Sequence, residues 1–207
     1  MIQNCYTNIQ GMKKMARPKE FERKEALTQA MKIFWLKGYD GTSLPDLTEA
    51  MAISRSSLYD TFGDKKQLFC ETIEYYGTMV RQRRREILAS TPSLREGIAG
   101  FLQEIIDIAV HEDYPGGCFF TNTATSLVTA DQEIREIIRG SAEKMENELA
   151  AFIAQWQEHG ELAAGRDARS LARFFVALAT GMNVDARRRC NRGVLEDMAK
   201  EALTVLN

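Results

Sequence analysis

Nowhere does this chain carry the roughly 18 consecutive apolar residues that a membrane-spanning helix requires; its longest candidate, Phe174–Val184, is too short. Its first residues lack the basic segment followed by an apolar one that marks a secretory signal, so export is not expected. Cysteine is scarce. Cys5, Cys70, Cys118 and Cys190 lie far apart and form no CxxC pair. That argues against a disulfide scaffold or a zinc site and for a reducing, cytoplasmic setting. There is no P-loop, no dinucleotide fingerprint, no nucleophile elbow and no paired metal-ligand motif. The two histidines, His111 and His159, sit near helix ends and read as surface imidazoles. A Cys118–His111 nucleophilic pair lacks an orienting third group. The carboxylates are spread along helix faces as solvated charge. The expectation is a non-enzyme without cofactor or metal. Strand-like alternation and internal repeats are missing too, which leaves an all-α fold.

What is present is concentrated near the start. Net charge is −2, but residues 1–66 carry 11 Lys/Arg against 8 Asp/Glu, while the remainder carries 16 against 21. The basic end coincides with the most informative stretch, residues 38–69. Leu44, Leu47 and Met51 share one face of a short helix, with Ser43 as its natural N-cap. Residues 52–54 leave room only for a sharp turn. Leu58 and Phe62 give the next helix a buried edge, and its other side shows Arg55, Ser56, Tyr59, Asp60 and Thr61. This is the pattern of a helix-turn-helix, whose second helix enters the DNA major groove. Gly63 then breaks the helix and Asp64 can cap the next. Lys65 and Lys66 occupy the first turn of that helix, where cations oppose the helix dipole; a nearby phosphate backbone would give them a reason to be there. Ahead of the motif, residues 1–11 show no periodicity and read as a disordered tail or an upstream-start artefact, with Met12 and Met15 as later starts, and residues 1–16 together form a disordered or extended tail. Lys13, Lys14, Arg17 and Lys19 form either an arm that touches DNA or a solvated tail. On the residues alone, an enzyme with a helical body and an interaction protein using the motif as scaffold stay open.

At Phe34–Gly38 (FWLKG), Gly41–Leu44 (GTSL), Leu58–Phe62 (LYDTF) and Lys65–Phe69 (KKQLF) the chain resembles the TetR/AcrR family of bacterial transcriptional repressors. Thr48 and Ala52 depart from it, standing where the family usually has Ala and often Gly. A left-handed Ala52 would cost on the order of 1 kcal/mol relative to Gly. The resemblance implies a three-helix DNA-binding head over residues 17–64 and a helical ligand-binding and dimerisation body over residues 65–207. It gives base reading to Arg55, Ser56 and Thr61, and phosphate contacts to Ser43, Tyr59 and Lys65. It implies a double-stranded, palindromic operator, a homodimer and a small-molecule inducer or reactive species that releases the DNA.

The remaining sequence reads as helix, with segments at about residues 20–37, 65–89, 94–111, 118–128, 131–157, 167–189 and 192–206, broken by Thr91–Pro92–Ser93 and by Tyr114–Pro115–Gly116–Gly117. Phe101, Ile105, Cys118, Phe119, Asn122, Trp156 and Phe175 are candidates for a pocket wall, although each also fits simple core. Cys118, just after a Gly pair and at a helix start, is either a sensing thiol or a small buried hydrophobe. The last two helices carry apolar stripes, Leu171, Phe174, Leu178 and Met182 on one and Leu195, Met198 and Ala202 on the other. They complete the subunit core or, as the resemblance implies, pair with a second subunit as a four-helix bundle.

Overall fold

The computed structural model describes residues 16–126 and 131–207. Among these residues there are nine α-helices and no strand: α1 (Ala16–Gly41), α2 (Leu44–Ala50), α3 (Arg55–Phe62), α4 (Lys65–Ser90), α5 (Leu94–Ala109), α6 (Phe119–Ser126), α7 (Gln132–Glu158), α8 (Ala168–Arg189) and α9 (Arg192–Ala202). A 3₁₀ turn, Leu203–Leu206, ends the chain. No described helix is long and apolar enough to cross a membrane. The tail residues 1–15, with Cys5, Lys13 and Lys14, lie outside the described residues. So do residues 127–130, which take in the last part of the expected segment 118–128. The backbone is helical from Ala16, four residues before the sequence pattern suggests. Gly38 takes φ 72°, so regular α1 ends at Lys37, where the periodicity ends.

Short polar residues start the helices, each satisfying a backbone N–H that the first turn leaves open. Ser43 and Asp46 form a reciprocal capping box on α2, and Asp64 and Gln67 form another on α4. Ser54, Ser93, Asp131, Asp167 and Asn191 cap α3, α5, α7, α8 and α9. Two apolar cores result. One holds α1–α3 on the first half of α4. It does not close at residue 64 but runs on through Leu68, Phe69, Ile73, Tyr76 and Val80, and takes in Phe119 and Ile134. The other packs α5, α7, α8 and α9 around Phe101, Ile105, Ile153, Phe175 and Leu195. The long helix α4 belongs to both cores: α1 and α3 of the head pack on it, and so do α5 and α7 of the body.

Candidate functional site

The exposed face of α3 is built by its buried one. Leu58 and Phe62 share one core with Leu47 of α2, Met51 just after it, and residues of α1 and α4. Truncating a fully buried Leu such as Leu58 to Ala costs about 2–5 kcal/mol. With that edge fixed, Arg55, Ser56, Tyr59, Asp60 and Thr61 all stand in solvent. Tyr59 is the most conspicuous of them, a 41% exposed aromatic with the Arg55 guanidinium 5.7 Å from its ring centre. The tight turn before α3 rests on Ala52, whose φ is 53°, the left-handed conformation foreseen as the cost of Ala at this position.

Three neighbouring groups have partners within the chain. The Ser43 hydroxyl donates to Asp46 Oδ2 at 2.7 Å and, as N-cap, accepts from the Asp46 N–H at 3.3 Å. Asp46 also pairs with Lys37 at 2.6 Å, and this bond and the Ser43 backbone N–H hold its carboxyl far below the usual range. Lys65 Nζ rests 4.4 Å from the Tyr39 ring centre. Lys66 pairs with Asp131, the cap of α7, and with Glu133 in its first turn, both at 2.7 Å. Two carboxylates of its own chain therefore occupy Lys66, and no phosphate is needed to explain a cation in that first turn.

Behind the head, α4–α8 enclose a cavity of about 160 Å³, walled chiefly by apolar side chains such as Val80, Ile105, Ile108 and Met145. Its floor toward the head is Tyr76 and Cys118. The Tyr76 hydroxyl donates to Cys118 Sγ at 3.3 Å, and burial pushes that phenol well above its ordinary pKa. On its other side Tyr76 meets Trp35 of α1, ring centres 5.1 Å apart. Trp35 Nε1 donates to the Gly116 carbonyl at 3.2 Å, and the Asn122 amide donates to the same oxygen at 3.0 Å. Gly117 (φ 70°) lies against α8; a Cβ there would come within 2.8 Å of the Asn183 carbonyl and 2.9 Å of Asn122 Oδ1. The Gly pair thus lets the loop wedge between α1 and α8.

Of the seven residues expected to form the pocket wall, Ile105 and Cys118 line this cavity. The other five do not. Phe101, Phe119 and Phe175 are sealed in the cores, with at most 1% exposure. Asn122 is spent on the loop carbonyl, and Trp156 packs beside Phe152 and His159 at the end of α7. Large apolar residues at helical spacing filled the core before they could border a space. What sequence reading missed is Tyr76, Arg84, Glu104 and Asn183. Glu104 is not a solvated carboxylate: its side chain is fully buried, with Arg84 Nε 3.8 Å from Oε2. The signal was available, since Glu104 falls inside the apolar arc of Ile98, Phe101, Ile105 and Ile108.

The C-terminal stripes split in a similar way. Leu171, Met182, Leu195 and Ala202 are buried within the subunit, at 6% exposure or less, and have no surface left for a partner. On α8, Phe174 and Val184 are 40% and 37% exposed, and Ala177 and Gly181 lie open between them. Leu178 and, on α9, Met198 are half-buried. An apolar face therefore exists, displaced around α8 from the stripe read as a whole.

Two family descriptions match the chain: "Bacterial regulatory proteins, tetR family" over residues 26–72, and "Tetracyclin repressor-like, C-terminal domain" over residues 95–200. A similar curated protein is the HTH-type transcriptional repressor ComR of Escherichia coli K12, 31% identical over 94% of this chain and 91% of its own. Among solved structures, a cysteine mutant of the TetR family regulator CifR complexed with 26-base-pair operator DNA is 33% identical, with a TM-score of 0.81 over 88% of this chain and 95% of that one. A TetR regulator from Chloroflexus aurantiacus is 26% identical, with a TM-score of 0.83 over 91% and 95%.

Proposed function

Because this chain belongs to the TetR family of transcriptional regulators, we propose that it is a homodimeric repressor whose paired heads read a palindromic operator and whose body cavity takes the inducer. The observation that carries this reading is the α3 face, where Arg55, Ser56, Tyr59 and Thr61 stand exposed on a helix anchored by Leu58 and Phe62. Arg55, Ser56 and Thr61 would meet base edges. Tyr59 and Lys65 would meet phosphates, with Ser43 bringing the first turn of α2 to the backbone. One short helix is too small for tight specific binding. Two heads about 34–36 Å apart, or a multiple of that, would supply the rest. The outward face of α8, with Phe174, Leu178 and Val184, together with Met198 of α9, would form the subunit contact. An inducer acts only if it binds one head arrangement better than the other. Support for such coupling comes from Tyr76 and Cys118, which border the cavity and pack toward Trp35 of the head. In this reading the head is residues 17–64, with its core completed by the first half of α4, and the body is residues 65–207.

Operator binding by variants tests this. With duplexes selected by the wild-type protein from a random library, Lys65→Ala should weaken binding to all sequences and lower the salt slope by about one. Arg55→Ala should instead narrow the gap between selected and scrambled DNA. Unchanged affinity and salt slope in both variants would sink the docking.

A further inference from the structure

The cavity wall has a polar corner at Glu104 and Arg84, and that corner is incomplete. Most hydroxyls along its wall are already committed: Thr125, Ser141 and Thr180 each donate to a carbonyl one turn back in their own helix. Three side chains differ. Both carboxyl oxygens of Glu104, the Oδ1 of Asn183 and the Nε of Arg84 are buried without a hydrogen-bond partner among the described residues. Arg84 uses Nη1 on Glu148 at 3.2 Å, which leaves Nε aimed at Glu104 from 3.8 Å, too far for a direct bond. Asn183 donates to the Ala179 carbonyl and leaves only its oxygen over. Burying a carboxyl with no donor is strongly unfavourable. Here the unmet groups sit in the wall of the cavity, which is about the size of an engineered apolar cavity that binds benzene.

The unmet set has a definite chemistry: three acceptor atoms and one donor, the donor 3.8 Å from one of the acceptors. A hydroxyl fits between such a pair, because it donates to one oxygen and accepts from one N–H. An ammonium group would face Arg84 and accept nothing. A carboxylate would face Glu104 and donate nothing. The surrounding wall is apolar, so the rest of the occupant must be too.

Building on the reading of this cavity as the inducer site, we propose that it takes a compact, neutral molecule with an apolar body and a hydroxyl group, an alcohol or a phenol, whose hydroxyl joins Glu104 to Arg84. The two groups lie in the wall with almost no accessible surface, so the hydroxyl reaches them by side-chain rotation. Met145, an adaptable thioether in the same wall, is able to yield. Burial raises the Glu104 carboxyl to about 7 against the opposing pull of Arg84, so it is the carboxylate present above that pH that lacks a donor.

Calorimetric titration of the full-length protein at pH 8, where Glu104 is ionised, with p-cresol, p-xylene, benzoate and benzylammonium separates the possibilities, since p-cresol and p-xylene have nearly the same shape. The expected result is a dissociation constant for p-cresol at least about ten-fold below those of the other three, as one charge-assisted hydrogen bond provides. Glu104→Leu should bind p-xylene at least as well as wild type and lose the preference for p-cresol. The wild-type comparison stands even if that variant misfolds. Equal binding of p-xylene would mean that the corner does not read a hydroxyl, and would overturn the proposal. So would a preference for benzoate or benzylammonium, or no binding of any probe. Operator binding by the unliganded protein is measured on the same samples. Its absence strikes at the regulator reading, whereas the probe results strike at the ligand class alone.

Discussion

Ala52 holds a left-handed φ of 53° in the turn that aims α3. Side-chain crowding makes this conformation unfavourable for Ala and free for Gly, though Gly also gains freedom in the unfolded chain. Ala52→Gly should therefore stabilise the protein by up to about 1 kcal/mol in urea unfolding, with DNA affinity preserved. Glu104 is the second residue with a stored cost. Its carboxyl stands at about 7, raised by burial and by Glu148 and Asp107, and opposed by Arg84 and Arg83. A raised acid holds its proton more tightly when folded. Its effect on stability is therefore absent below pH 4, grows between about 4.5 and 7, and is fully unfavourable above. Glu104→Gln should leave stability nearly unchanged at pH 5 and raise it at pH 8, by at most about 3 kcal/mol. Chemical denaturation at the two pH values would check it, and an equal change at both would contradict the burial argument.

At the scale of elements, the sequence was readable where local chemistry decides. Ser43, Asp64, Asp131 and Asp167 sit at the expected helix starts because a short acceptor side chain before an apolar period has little else to do. The turn at Ala52 and the break at Gly38 follow from the same local rules. What could not be read was which neighbour covers each face. Phe174 and Phe175 are adjacent in sequence and about 100° apart on α8, so one enters the core while the other faces outward. Both are large apolar side chains in one run of the sequence, and only the packing of neighbouring helices on α8 separates them. The pocket wall failed for a related reason: cavities lie where packing is incomplete, and the largest apolar side chains pack most completely. Lys66 shows the limit of charge reading, because its partners, Asp131 and Glu133, are more than 60 residues away.

For the whole molecule, the split stripe makes the dimer testable in a way that separates assembly from folding. Phe174 and Leu178 keep exposed surface in the single subunit, whereas Met182 has none. Phe174→Glu with Leu178→Glu should give a folded monomer with normal helical circular dichroism, half the mass by light scattering and lost operator affinity, because like charges cannot be buried against each other. Met182→Glu should instead unfold the subunit, since a charge without a partner enters its core. A Phe174/Leu178 variant that stays dimeric would move the interface elsewhere.

One further consequence comes from α4. It runs unbroken for 26 residues, about 39 Å, and joins the head at Lys65 to the cavity wall at Arg84. Those two points are about 28 Å apart along the axis, so a tilt of the helix at the cavity would be magnified at the head. Each degree of tilt about Arg84 carries Lys65 through about 0.5 Å. Hydrogen bonds tolerate about that much displacement. A tilt of a few degrees would move a reading head by more than its hydrogen bonds to DNA tolerate.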